Sequence, residues 1–213
     1  LWLSVRHEQS RWMNVPPLPS RLSVAASSLS DNSFAYRTIG LMLQNLGDVG
    51  GRTTSLHDYD TNRLKDWFLL QNELDPHSNH APSLAAFYFG GVQEEFAPAK
   101  LGPLIDYLEI VGQSPEPGKW RWMAQAVSMA RFRAHDYQRA YDLALKLAAM
   151  ANKDPSIPNW ARAMPAFVLN QKGDKEGAKM IVLGILSSVA KGEITIHPNE
   201  VNHMRDVLCN RLM

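Results

Sequence analysis

Ala134-His135-Asp136-Tyr137-Gln138-Arg139-Ala140 and Gln171-Lys172-Gly173-Asp174-Lys175-Glu176-Gly177-Ala178 are the two stretches whose reading decides the fold. Each sets an aspartate, preceded by His or Gly, between two apolar runs of helical period, and each places an alanine four residues beyond that aspartate. Asn45-Leu46-Gly47-Asp48 carries the Gly-Asp pair again nearer the N-terminus. A polar turn recurring between apolar helices makes the helical hairpin the repeating unit.

Outward from these turns the pattern stays helical. Residues 120–133 and 137–151 flank the first turn, and 160–171 and 175–191 flank the second. Nearer the N-terminus, residues 34–43 place Tyr36, Ile39, Gly40 and Leu43 at the i, i+3, i+4, i+7 spacing of one helix face, with Asp31 or Asn32 as the N-cap. Further apolar helices are predicted over 61–74, over 83–92 beginning near Pro82, and over 101–111. No stretch alternates polar and apolar residues long enough to make a sheet, so the class is all-α.

Proline punctuates the array. Leu74-Asp75-Pro76, Ser114-Pro115-Glu116-Pro117-Gly118 and the run from Asp154-Pro155 to Pro158 end helices, because proline biases the residue before it away from the helical region. The segment from Gly50 to Tyr59 lengthens the first turn into a surface loop, and long loops of repeat arrays often lie on the functional face. Residues 195–208 read as a closing helix with Pro198 near its first turn and Val201, Met204, Val207 and Leu208 on one face. A solenoid needs such a helix to cover its last apolar face.

The Gly-Asp or x-Asp turns followed by Ala140 and Ala178 resemble the tetratricopeptide repeat, and Leu74-Asp75-Pro76 resembles the proline-terminated second helix of that family. The two alanines are 38 residues apart against the family period of about 34. The hairpin over 83–111 departs from the pattern, having Glu94-Glu95-Phe96-Ala97-Pro98-Ala99 in place of a Gly-Asp turn, and the first hairpin carries an insertion. The resemblance covers roughly 34–191 and implies a right-handed superhelix of about four hairpins plus the C-terminal capping helix, all within 21–213. It also implies that Ala140 and Ala178 sit where paired helices cross closely. The first helix of each hairpin would line a concave groove. That puts Arg37, Leu41, Gln44 and Asn45, then Leu84 and Tyr88, then Trp122, Gln125, Met129 and Arg133, then Trp160, Phe167, Asn170 and Gln171 on the inner face. Such a mixture of aromatics, amides and arginine is what protein interfaces enrich, although Trp122, Met129, Trp160 and Phe167 read equally well as core. Trp120 and Trp122 stand about 200° apart on one helix, so one of them is expected to be partly exposed.

Residues 1–20 form a separate N-terminal segment. Leu1-Trp2-Leu3-Ser4-Val5 is apolar and is followed by Arg6-His7-Glu8 and Arg11-Trp12, the order found where a membrane helix leaves the bilayer. Five residues cannot span a bilayer, so the spanning part would lie before Leu1; packing of Trp2 and Val5 on a neighbouring helix reads equally well. Pro16, Pro17 and Pro19 make the following stretch an extended linker. An interfacial N-terminus, a Pro-rich linker and a helical repeat together resemble membrane-anchored bacterial repeat proteins. That resemblance implies a periplasmic body, with a cytoplasmic chain as the alternative.

The remaining chemistry is sparse. With 22 Lys+Arg against 21 Asp+Glu over 213 residues the net charge is +1, which gives no reason to expect nucleic acid or an acidic membrane surface as partner. The one basic concentration, Lys119, Arg121, Arg131, Arg133 and Arg139, reads as a solvated face. The single cysteine, Cys209, can form no internal disulfide and has no triad setting beside His203. Seven histidines raise a metal alternative, in which His77 and His80 converge with Asp75, but their turn composition argues against it. His197 and His203 fall on different helix faces. Asp58, Asp60, Asp66, Glu73 and Asp75 match no calcium loop, and Gly50-Gly51 has no Lys-Ser/Thr pair to make a phosphate loop. The sequence therefore predicts a non-enzymatic scaffold or accessory subunit without a cofactor, which docks other proteins through its helical groove. The rival is a metal-binding or hydrolytic all-α enzyme using His77, His80 and the nearby acids.

Overall fold

A computed structural model describes residues 15–46, 48–49, 52–53, 58–91 and 98–212 of the chain. These residues are helical apart from turns and a single two-residue antiparallel ladder, β1 (Asp48–Val49) with β2 (Arg52–Thr53), in which Asp48 faces Thr53 and Val49 faces Arg52. Two compact units divide the chain, Leu1–Tyr107 and Leu108–Met213.

In the first unit, helices α1 (Arg21–Ser27), α2 (Asn32–Gln44) and α3 (Thr61–Leu74) pack in sequence order, followed by a short α4 (His80–Ser83) that runs directly into a π-helical turn, Leu84–Phe89. Helix α5 (Pro98–Gly112) begins in this unit. Side-chain oxygens cap each of the first three helices: Ser20 accepts from Ser23 N, Asp31 from Phe34 N, and Asp60 from Asn62 and Arg63 N. Each cap satisfies an amide that would otherwise lack a partner at a helix start, worth about 1 kcal/mol apiece. The predicted face of α2 is buried as expected, with Ala35 joining Tyr36, Ile39, Gly40 and Leu43. It packs on α3, whose Gln71 reaches the α2 backbone. The absence of a side chain at Gly40 lets Gln71 and His80 approach, since a Cβ there would lie 3.1 Å from Gln71 Nε2 and 3.5 Å from the His80 ring.

Aromatic rings pack together in this unit. Phe68 lies 5.7 Å from Phe89 and 5.3 Å from Tyr107, and Tyr59 stands edge-on to Phe89 at 5.9 Å. Tyr107 is fully buried, and its hydroxyl meets no hydrogen-bond partner among the described residues; desolvation pushes that phenol well above its ordinary pKa, with a further rise from Tyr36. Gln71, also fully buried, donates from Nε2 to the Tyr36 carbonyl at 3.2 Å. The proline-rich stretch is extended, as its composition dictates, and lies on α3: Arg63 donates to the Val15 carbonyl at 3.0 Å, the Trp67 indole N–H donates to the Pro16 carbonyl at 2.9 Å, and Val15 is buried.

The second unit is built from hairpins. Helices α6 (Trp120–Phe132) and α7 (Tyr137–Lys153) form one, α8 (Trp160–Lys172) and α9 (Lys175–Ala190) the next, and α8 packs on α7 as well as on α9. The turn aspartates are helix caps. Asp136 accepts from Arg139 N at 2.9 Å and Asp174 from Gly177 N at 2.8 Å, while His135 and Gly173 hold the left-handed backbone that reverses the chain. One stripe of α7, Ala140, Leu143, Ala144, Leu147 and Ala151, is buried. Ala178 is likewise enclosed, in a core with Ala163, Ala166, Leu169, Val182, Met204 and Val207. The closing helix α10 (Pro198–Val207) starts at Pro198, three residues later than the sequence suggests. His197 caps it through Nδ1, which accepts from Asn199 N, and Thr195-Ile196 stays outside it.

Among the described residues, no helix is long and apolar enough to cross a membrane. The apolar Leu1–Val5 stretch with Arg6, Arg11 and Trp12, and most of the expected loop from Gly50 onward, lie outside the described residues.

Candidate protein-docking faces

Helix α2 carries exposed apolar side chains outside its core face. Its inner face is core, yet Phe34 is 56% exposed and Leu41 62% exposed on the outer side. Phe34, Thr38, Leu41 and Asn45 follow the four-three-four spacing of one stripe, and Arg37 and Gln44 flank it on one side beside Leu41. Three of the residues expected to bind a partner, Arg37, Gln44 and Asn45, are therefore exposed together on one helix. Two are in contact with their own chain: the Asn45 amide donates to the Leu41 carbonyl at 2.7 Å, and Gln44 Nε2 lies 3.4 Å from His80 Nε2.

An uncharged cleft opens between α1 and α2, lined by Val24, Phe34, Ala35, Ile39 and Trp67 with the hydroxyls of Ser23, Ser27 and Thr38, and encloses about 330 Å³. Tyr88 is exposed on the π-helical turn beside an exposed Phe87. Inserting one extra residue per turn is the feature of π-helices that often marks functional sites. Here it swings two aromatics outward while Phe89 turns into the core. Phe34 and Phe87 belong to no site expected from the sequence. The signal for Phe34 was available, since it lies off the core face of α2.

The second unit corrects several expectations. Met129 is 1% exposed and Trp122 9% exposed, so both are core residues and offer a partner no surface. Trp120 is equally buried, packed edge-on to Trp160 at 5.8 Å and covered by the Arg121 guanidinium at 5.0 Å. The expectation that one of Trp120 and Trp122 would be exposed fails because α6 is covered on two sides, by α7 and by the end of α5, where Gly112 lies against the Met123 backbone. In the first unit, Leu84 is buried as well. Gln125, Arg133, Trp160, Phe167 and Asn170 are half-buried, and Gln171 is exposed.

Gln171 is tied down: its Oε1 accepts from Arg131 Nε, while the Arg131 guanidinium lies 4.5 Å from the Phe132 ring. Burial lowers the Arg131 pKa, an effect Tyr137 opposes. The basic residues are no uniformly solvated face, because Lys119 is fully buried.

The acids and histidines near residue 77 do not converge. Asp75 accepts from the backbone N–H of His77 at 3.1 Å and of Ser78 at 3.2 Å, which makes its carboxylate a turn cap, and His80 points toward Gly40 and Gln44. Among the described residues no three His, Cys, Asp or Glu side chains group to hold a metal ion. No family model matches the chain, and neither a curated protein nor a solved structure matches it.

Proposed function

We propose that the chain is a non-enzymatic scaffold or accessory subunit that docks other proteins through the outward faces of its helices. The observation that carries this reading is a pair of exposed apolar side chains on α2: Phe34 and Leu41 stand in solvent on a helix whose opposite side is already buried in the core. Large apolar side chains lined up on an exposed helix face are what a partner covers, and arginine and amides at their rim supply orientation. In this reading the hairpins belong to a tetratricopeptide-like superhelix. The apolar Leu1–Val5 and the arginines after it mark the exit of an N-terminal tether, with the body in the periplasm.

Co-purification of the full-length protein in mild detergent tests the docking reading. A stable complex is expected, and Phe34→Ser with Leu41→Ser should weaken it tenfold or more, the equivalent of about 1.4 kcal/mol. A complex whose affinity is untouched by the double substitution removes α2 as the docking face, and a lone monomer removes the accessory-subunit reading. The tether is tested by fractionation. An anchored protein stays in the membrane pellet through a high-salt wash, since salt strips electrostatic binding and leaves an inserted helix in place. Release into the supernatant overturns the tether.

A further inference from the structure

We draw no further inference here: the strongest candidate, the uncharged cleft of about 330 Å³ between α1 and α2 lined by Val24, Phe34, Ala35, Ile39 and Trp67, carries nothing because nothing in the structure shows what covers it.

Discussion

Replacing Gly112 by alanine probes a close backbone approach in the second unit. In an ordinary helix the change is favourable by about 0.4–1 kcal/mol, because alanine restricts the unfolded chain and suits the helix. At Gly112 the added Cβ would lie 2.4 Å from Met123 N and 2.8 Å from its Cα and Cβ, against the 3.4 Å at which ordinary contact begins. The obstacle is backbone, which no rotamer change removes, so the end of α5 and the start of α6 must part by roughly 1 Å, a gap that forfeits a quarter to a half of each dispersion contact across the joint. Overpacking of this kind costs about 1–3 kcal/mol, and the backbone clash places it at the upper end. After the helix gain is subtracted, a net loss of about 2 kcal/mol remains, which for a chain of this size lowers Tm by roughly 4–8 °C. Gly184 supplies the internal control: it is exposed in the interior of α9 and an added Cβ would meet nothing within 4 Å. Gly184→Ala should therefore raise Tm by roughly 1–4 °C. Thermal unfolding followed by far-UV circular dichroism reads both. A Gly112→Ala protein that melts at or above the wild type refutes the close approach of α5 and α6.

The enclosed alanines make a parallel test: Ala140→Leu and Ala178→Leu each insert a branched side chain into a filled core and should cost about 1–3 kcal/mol, and melts unchanged for either would break the repeat alignment. Tyr107 should lower stability at alkaline pH. Its phenol keeps its proton in the folded state above pH 10 while the unfolded chain loses it, so the folded state binds more protons there and stability, full below pH 10, falls as pH rises; Tyr36 and Tyr59 act in the same direction. Tyr107→Phe should flatten that alkaline loss in denaturant titrations and, by removing a buried hydroxyl without a partner among the described residues, add about 1 kcal/mol at neutral pH. A steeper alkaline loss or a destabilised neutral protein would contradict this account of the site.

What the sequence disclosed was whatever depends on one helix and its own ends. The inner face of α2 and its Asp31 cap were legible because capping and the i, i+3, i+4 period are local properties. The span of α3 was legible for the same reason, as were the polar turns at Asp136 and Asp174 between paired helices. Helix α1 left no such mark: Val24 is its single buried residue, so no stripe repeats along it. In the run Leu84-Ala85-Ala86-Phe87-Tyr88-Phe89 every residue is apolar, and a run without polar interruptions cannot say that Phe87 and Tyr88 face out.

Trp122 and Met129 show why the groove was the harder inference. Periodicity separates core from surface only when one face of a helix meets water. On α6 the buried set, Trp120, Trp122, Met123, Ala126, Val127, Met129 and Ala130, extends well beyond one stripe because neighbours cover two sides. Whether an apolar residue is a packing or a docking residue is then fixed by helices far away in sequence, which residue spacing does not encode. On α2, Phe34 and Leu41 instead remain exposed, on the side opposite the buried core face. Substitutions there remove no buried contact of the inner face, so a loss of binding at Phe34 or Leu41 without a loss of Tm would report on docking itself, whereas at Trp122 or Met129 the two effects could not be separated.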